Sequence, residues 1–375
     1  MRFNKKQVFR AALHPAVGIT AKHSTKNILL IKYNMKENQY QFFSGKCTVY
    51  LDASFAMLPG MVPENLIFIT DENVFQLHSS KFDGYKTIVV KAGEEHKQQF
   101  TIDAILNQLI VLEADRKTFI VGVGGGVVTD MAGYAASVYM RGVPFGFVPT
   151  TILAMVDAAI GGKNGVDVGA YKNLVGTIRQ PQFLLYDYSF LQTLPHEQWV
   201  NGFAEIIKHA CIKSADLFNW LKDKSVDFFK NDAAALATLI EKNVQIKSTI
   251  VTSDEFEQGD RKLLNFGHTF GHAIENENKL LHGHAISIGM MIACTIAEEI
   301  NQFNSDEKAA VKALLEQYHL PTSVQFEKQK VWHLMKLDKK RTGNTMSFIL
   351  LNKIGDAIVK QIPMVQLEDL VSQNL

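Results

Sequence analysis

Four histidines, His268, His272, His282 and His284, crowd into one short segment of the 375-residue sequence. His268 and His272 are four residues apart, so on a helix both imidazoles project from one face, a spacing that suits a divalent cation. Glu205 lies in the apolar run Gly202-Phe203-Ala204-Glu205-Ile206-Ile207-Lys208, on another expected helix. A carboxylate buried there needs a partner to stay charged. Two imidazoles and one carboxylate leave a coordination position open, the pattern of a catalytic rather than a structural zinc site. Spacing alone does not decide which two of the four histidines are ligands.

A second chemistry is suggested by Gly122, Gly124, Gly125 and Gly126, which follow a short apolar run and precede a helix-like stretch over 127–137. Glycines at such a turn let backbone N–H groups approach a pyrophosphate, and the helix N-terminus adds partial positive charge. The usual GxGxxG spacing would place glycine at 127, where this chain has Val127. Asp71 ends an earlier apolar run, and its carboxylate suits either ribose hydroxyls or a helix cap. Gly93-Glu94-Glu95-His96-Lys97 reads equally as a helix start with solvated charges. Asp157, Lys163, Asn164, Lys172 and Asn173 fall in the glycine-rich segment 156–176, poor in helical pattern and expected as a loop. Lys208, Lys247, Arg261 and Asn265 add donors from farther along. Together they are the equipment a small substrate carrying a phosphate and a carboxylate would need.

These groups have to be held by regular elements. Apolar runs at 66–70, 87–90 and 118–121 have strand length, and 98–113 repeats its apolar residues at helical spacing. Alternating strands and helices predict an α/β, doubly wound, mostly parallel sheet. After Pro181 the pattern turns helical, over 198–213, 233–252, 267–278 and 286–301, with a late strand at 348–351. We expect an NAD-binding α/β domain over 1–180, its first forty residues an extension without assigned function, and a mainly helical metal- and substrate-binding domain over 181–375. A chain this long exceeds what one core usually supports.

The formal net charge is +1, so no overall field draws the chain to nucleic acid or to an anionic membrane. The most apolar stretch, 285–297, is too short to span a bilayer, and the start lacks a signal-like apolar run, which predicts a cytoplasmic protein. Cys47, Cys211 and Cys294 are widely separated and odd in number, as expected of reduced, buried thiols.

Taken in order, the motifs resemble the 3-dehydroquinate synthase family of sugar phosphate cyclases over roughly residues 65–353. The carrying segments are Gly124-Gly125-Gly126-Val127-Val128-Thr129-Asp130, Tyr139-Met140-Arg141-Gly142, Pro149-Thr150-Thr151, Val156-Asp157 with Gly161-Gly162-Lys163, and Lys172-Asn173. Further on come Ala204-Glu205-Ile206-Ile207-Lys208, Asp254-Glu255-Phe256-Glu257 with Arg261, Leu264-Asn265-Phe266-Gly267-His268-Thr269, Gly271-His272, His282-Gly283 and Asp338-Lys339-Lys340.

The resemblance implies zinc, or cobalt in its place, on Glu205, His268 and His282, with His272 left for substrate. It implies NAD along Asp71, Glu94, Lys97, Gly125, Gly126, Val127, Asp130, Thr150, Thr151, Lys172 and Thr193. Substrate phosphate would fall to Lys163, Asn173, Asn265, His272 and one of Lys339 or Lys340, with Arg141 from a neighbouring copy in a homodimer. Asp157, Lys208, Lys247, Glu257 and Arg261 would hold hydroxyls and carboxylate. The implied reaction converts 3-deoxy-arabino-heptulosonate 7-phosphate to 3-dehydroquinate and phosphate, with NAD regenerated each cycle. The chain departs from the family pattern at His284, where an acid is usual, at Glu197-Gln198, where an Arg-Glu pair is usual, and at Ala158-Ala159, where serines are usual. A cyclase acting on sedoheptulose 7-phosphate and a metal-dependent polyol dehydrogenase are the competing readings.

Overall fold

The computed structural model describes residues 35–169, 171–336 and 341–374. The first 34 residues, and with them most of the expected extension, lie outside the described residues. From Lys36 onward that segment belongs to the fold. Strands β1 (Lys36–Gln41) and β2 (Lys46–Leu51) pair antiparallel and form one edge of a seven-stranded sheet. The other members are β3 (Leu66–Asp71), β4 (Lys86–Val90), β5 (Phe119–Gly124), β6 (Phe145–Pro149) and, after the hairpin strands β7 and β8 described below, β9 (Phe183–Leu185).

The sheet order is β1-β2-β9-β6-β5-β3-β4, and every pairing except β1 with β2 is parallel. β3, β5 and β6 are buried at every residue, as expected of parallel strands covered on both faces. The expected strands and the helix over 98–113 are present, the helix as Gln99–Val111. The carboxyl ends of β3, β5 and β6 bring Asp71, the Gly124–Gly126 turn and Thr150 to one edge, where ligands of open α/β sheets bind.

The segment expected as a loop is folded. A π-helical turn at Ala154–Ala158 leads into an antiparallel hairpin of β7 (Lys163–Val168) and β8 (Tyr171–Ile178). Its glycines hid it from a propensity reading, because Gly165 and Gly176 sit opposite one another. A Cβ on Gly176 would lie 2.1 Å from the Asn164 carbonyl oxygen, so the two backbones meet at a distance only glycine allows.

Beyond β9 the helices His196–Lys213, Ala233–Ser253, His268–Asn278 and His282–Asn301 match the expected ones, the last starting one turn early. Near the end of the chain Thr345–Lys353 and Asp356–Pro363 pair antiparallel, with the short strand Arg341–Thr342 on the other side of the first, and a helix Met364–Asn374 follows; only Thr345–Lys353 had a clear apolar run. His282–Asn301, with 20 residues, is longer than its apolar stretch suggested and reaches bilayer-spanning length, but 67% of its most apolar window is buried inside the protein. It is a central core helix.

All three thiols are buried, and burial pushes Cys47 and Cys294 up to about 12 and Cys211 well above its ordinary value. Neutral thiols shielded from solvent are poor nucleophiles. A thiol-reactive dye at pH 8 should therefore label none of them in the native protein and all of them after denaturation. Rapid labelling of the folded protein would contradict this packing.

Candidate active site

Glu205 lies in the middle of the helix His196–Lys213 and is 0% exposed. Burial alone would raise its carboxyl, but the Lys208 ammonium one turn on holds it below the usual range. Lys208 Nζ meets Oε2, which leaves the Oε1 side for other partners. Two imidazoles fill that side. His268 Nε2 is 3.6 Å and His282 Nε2 3.3 Å from Glu205 Oε1, and the three residues offer ligand atoms within 4.8 Å of one another.

Each histidine opens its own helix, so backbone geometry sets both rings. His268 Nδ1 meets the Phe266 carbonyl oxygen at 3.1 Å, and His282 Nδ1 meets Glu275 Oε2 at 3.3 Å. An N–H donated from each Nδ1 leaves Nε2 aimed at Glu205, the usual support of a metal-bound imidazole. Burial, together with the charges of Lys208 and the neighbouring histidines, holds His268 well below its ordinary value, so its Nε2 carries a lone pair. Burial also pulls His282 down, but its bonds to Glu205 and Glu275 outweigh that and raise it to about 10. The Nε2 proton that His282 directs at Glu205 marks the position a divalent cation would take over, so these residues fit a metal.

Sequence spacing had pointed to His268 with His272. Their rings do stand edge to face, 5.2 Å between centroids, yet it is His282 that joins His268 at Glu205. His272 instead forms a trio with Glu275 and His282. Glu275 was missed, although His268, His272 and Glu275 stand at i, i+4 and i+7 on one helical face, a pattern open to detection.

Glycines make this convergence possible. Gly267, at φ 79°, turns the chain into the His268 helix. A Cβ on Gly283 would lie 2.1 Å from the Asn201 carbonyl oxygen, so only glycine lets the His282 helix press against the Glu205 helix. Asn201 Oδ1 then accepts the Gly283 N–H at 2.6 Å, satisfying one orphan donor of that helix start.

The cation site faces a cleft of about 1250 Å³ that reaches the sheet's carboxyl edge. Asp71, Glu94, Lys97, Gly125, Gly126, Val127, Asp130, Thr150, Thr151, Lys172 and Thr193 all line it. The helix Gly126–Val138 begins there with no side-chain cap, so its first N–H groups face the cleft, and the buried Thr150 hydroxyl has no partner among the described residues. Asp71 meets one of its two expectations directly: Oδ1 accepts the Val74 N–H at 3.0 Å and caps the next helix. Lys97, 4% exposed, pairs with Asp130 at 2.5 Å and donates to Asn173 Oδ1 at 2.6 Å. Lys172 pairs with Glu275 at 2.5 Å and with Glu94 at 3.6 Å, linking the sheet side to the carboxylate that orients His282.

On the other wall, Asp157 sits in the π-helical turn, a device often found at functional sites. Its Oδ1 lies 2.7 Å from Lys247 Nζ, 3.5 Å from His209 Nε2 and 3.8 Å from Lys208 Nζ. Burial opposes its charge, but Lys208 and Lys247 hold the carboxyl well below the usual range. His209 is fully buried, and nothing in its spacing marked it. Lys163 pairs with Glu257, whose Oε1 also accepts from Asn265 Nδ2 at 2.5 Å. Arg261 donates to the carbonyls of Glu255 and Gly161, the latter at 2.8 Å. Asn164, read as a donor, is spent on the Gly162 and Arg179 carbonyls at 2.7 and 3.0 Å. Arg141 is exposed and is not among the lining residues, and Asp338, Lys339 and Lys340 lie outside the described residues. Two departures from the family pattern face each other: burial lowers His284, and the Glu197 carboxylate pulls it back up.

Residues 202–341 match the family model described as 3-dehydroquinate synthase C-terminal, and 87–201 the one described as 3-dehydroquinate synthase N-terminal. The chain is 39% identical over 302 residues to the 3-dehydroquinate synthase of Campylobacter concisus, covering 78% of this chain and 86% of that relative. It is 40% identical over 324 residues to that of Sulfurimonas denitrificans, covering 82% and 92%. Among solved structures it resembles 2-deoxy-scyllo-inosose synthase complexed with carbaglucose-6-phosphate, NAD+ and Co2+, with TM-score 0.80 and 25% identity over 91% of this chain and 100% of that one. It also resembles 2-epi-5-epi-valiolone synthase from Streptomyces hygroscopicus with NAD+ and Zn2+ bound, with TM-score 0.79 and 27% identity over 90% and 97%.

A methyl group at Gly283 must displace one of the two helices. Gly283→Ala should cost about 1–3 kcal/mol of stability, by the usual penalty for overpacking, and weaken retention of a divalent cation at least tenfold by the same estimate. Urea denaturation and metal analysis after dialysis check this, and unchanged values in both would show that the contact is slack.

Proposed function

We propose that this chain, which belongs to the 3-dehydroquinate synthase family, converts 3-deoxy-arabino-heptulosonate 7-phosphate to 3-dehydroquinate and phosphate, a step of the shikimate pathway. The observation that carries the reading is the meeting of Glu205, His268 and His282 in the cleft that also holds the open helix start at Gly126. When bound, a zinc or cobalt ion supplies a Lewis acid that makes the reacting alcohol easier to deprotonate, and NAD supplies a transient hydride acceptor.

Glu205, His268 and His282 hold the cation, and Glu275 and the Phe266 carbonyl keep the imidazoles aimed. The backbone N–H groups at Gly125 to Val127 receive the dinucleotide phosphates, while Asp71, Glu94, Thr150, Thr151 and Thr193 contact the rest. Lys97 and Asp130 fix the wall between the two, and Lys172 ties that wall to Glu275.

Lys163, Asn173, Asn265 and His272, with Lys340 as expected from the sequence, bind the substrate phosphate. Asp157 accepts from a substrate hydroxyl, and Lys208 and Lys247 keep it ionised for that task. Glu257 and Arg261 place the hydroxyl and carboxylate end. With the substrate oxidised next to the C–H that must be lost, the C–O bond to phosphate breaks by β-elimination and the departing phosphate takes the proton. Holding that phosphate among fixed cationic donors keeps the base next to the proton it removes. The ketone then regains the hydride it gave up, so that no net oxidation remains, and ring opening with aldol closure gives the carbocycle.

The cofactor falls to residues up to 180, and metal and substrate fall mainly to 181–375. The working form is a homodimer in the cytoplasm. Support for pairing comes from β8, where Tyr171, Leu174, Val175 and Ile178 are exposed, next to the exposed Met140 and Arg141. Arg179, just after β8, donates to the Ala136 carbonyl at 3.2 Å, in the last turn of the helix Gly126–Val138 that precedes Met140 and Arg141. A second copy covering this face gives Arg141 a route to the neighbouring phosphate site. Three buried free thiols suit a reducing compartment.

Purified protein given the heptulosonate phosphate and trace NAD should release phosphate far in excess of NAD, with no steady build-up of NADH. Preference for sedoheptulose 7-phosphate would overturn the substrate, and NADH formed in proportion to substrate would indicate a dehydrogenase. Glu205→Gln, which removes a ligand charge at constant size, should lose bound zinc and activity while its circular dichroism stays unchanged. Retained zinc would remove Glu205 from the ligand set. Leu174→Asp should shift the protein to monomer in light scattering, whereas an unaltered dimer would place the interface elsewhere.

A further inference from the structure

The hairpin of β1 and β2 is far along the chain from every residue given a chemical role, yet its tip grips the loop that carries Glu257. Ser44 donates twice to the Glu255 carboxylate, from N–H to Oε2 at 2.9 Å and from Oγ to Oε1 at 2.5 Å. Gln180, just after β8, donates to the same Oε1 at 2.8 Å. Burial would raise the Glu255 carboxyl, and these donors hold it below the usual range. Beside them Phe43, 89% exposed, lays its ring edge-on against Phe256 at 5.8 Å. An aromatic left this open gains little from burial by itself, so its consequence is local, fixing the residue between Glu255 and Glu257.

Glu257 has φ 59°, a left-handed conformation that costs a non-glycine residue energy and persists only where its surroundings impose it. The imposing contacts are the grip on Glu255 before it and, after it, the N–H groups of Gln258, Gly259 and Arg261, which donate back to the Asp254 carboxylate at 2.9, 2.7 and 3.0 Å. In that conformation the Glu257 side chain reaches Lys163 and Asn265 in the cleft.

We propose that Ser44, through Glu255, is a positioning residue for Glu257, and that the N-terminal hairpin thereby sets substrate affinity from outside the cleft. This rests on the reading of Glu257 as a substrate-binding group. A charge-assisted bond at an exposed tip can be deleted without unfolding the core, so Ser44→Ala is an interpretable variant.

Ser44→Ala should raise KM for the heptulosonate phosphate about fivefold to tenfold, the usual consequence of a small misplacement of a binding group, with kcat within about twofold. Bound zinc should stay unchanged, and Ser44→Thr, which keeps the hydroxyl, should restore KM. In a Glu257→Gln background, Ser44→Ala should add less than about twofold, because both changes act on one group. Effects that multiply fully, or a lowered Tm with unaltered KM, would reduce Ser44 to a structural contact and overturn the proposal. Unchanged KM in Glu257→Gln alone would sink the substrate role of Glu257, and the inference with it.

Discussion

A fully buried carboxylate must be matched by positive charge, and the site is arranged to meet that demand at Glu205. The penalty for leaving such a charge unpaired in the interior is about 3–5 kcal/mol. Lys208 answers from the same helix and His282 from the start of another, while the neutral His268 faces the same oxygen from the start of a third. Lys208 reaches one oxygen of Glu205 and the imidazoles stand 3.3 and 3.6 Å from the other, so the stabilisation depends on distance. The helix starts therefore have to be placed closely. That requirement explains why glycine occupies both 267 and 283, and why Asn201 reaches across to cap the His282 helix.

The same lysine couples two functions. Lys208 lies between Glu205 and Asp157, and each of those carboxylates raises its ammonium against the pull of burial. Lys247 closes the group from another helix, bonding both the Asp157 side chain and its backbone carbonyl. A cation bound at Glu205 and a hydroxyl bound at Asp157 would thus sit on either side of one fixed positive charge. Neither carboxylate could change its charge without the other responding, which ties the groups that would activate the alcohol to those that would hold it.

Much of this was legible in the sequence. The parallel strands read as unbroken apolar runs because they are covered on both faces, and the helix Gln99–Val111 kept its period because it buries one face. The folded segment 156–178 was not legible, since its stability comes from close backbone contact at Gly165 and Gly176 that leaves no apolar signature. The β1–β2 hairpin was passed over for a similar reason: β1, Lys-Glu-Asn-Gln-Tyr-Gln, is a polar edge strand. In the site, helical spacing paired His268 with His272, whereas the resemblance named His282, which comes from a different helix and reaches Glu205 only through tertiary packing. Glu275 lay on the predicted face and was overlooked, whereas His209 gave no signal, being one buried residue in an apolar helix.

Charge is also sorted along the cleft, and that sorting bears on how two kinds of chemistry share one chamber. Toward the sheet, Lys97 is consumed by Asp130 and Lys172 by Glu275, so the surface left to a dinucleotide is mainly backbone N–H and hydroxyl. Such neutral donors can hold a pyrophosphate without trapping it. Toward the hairpin, Lys163 stands 46% exposed at the mouth, held by Glu257. On the proposed reading, a substrate phosphate entering there would compete with a carboxylate for that lysine, and the loop that positions the carboxylate is itself anchored at the far edge of the sheet. Affinity at the mouth would then be set by how firmly Glu257 is held, while the buried end of the cleft keeps its charges fixed.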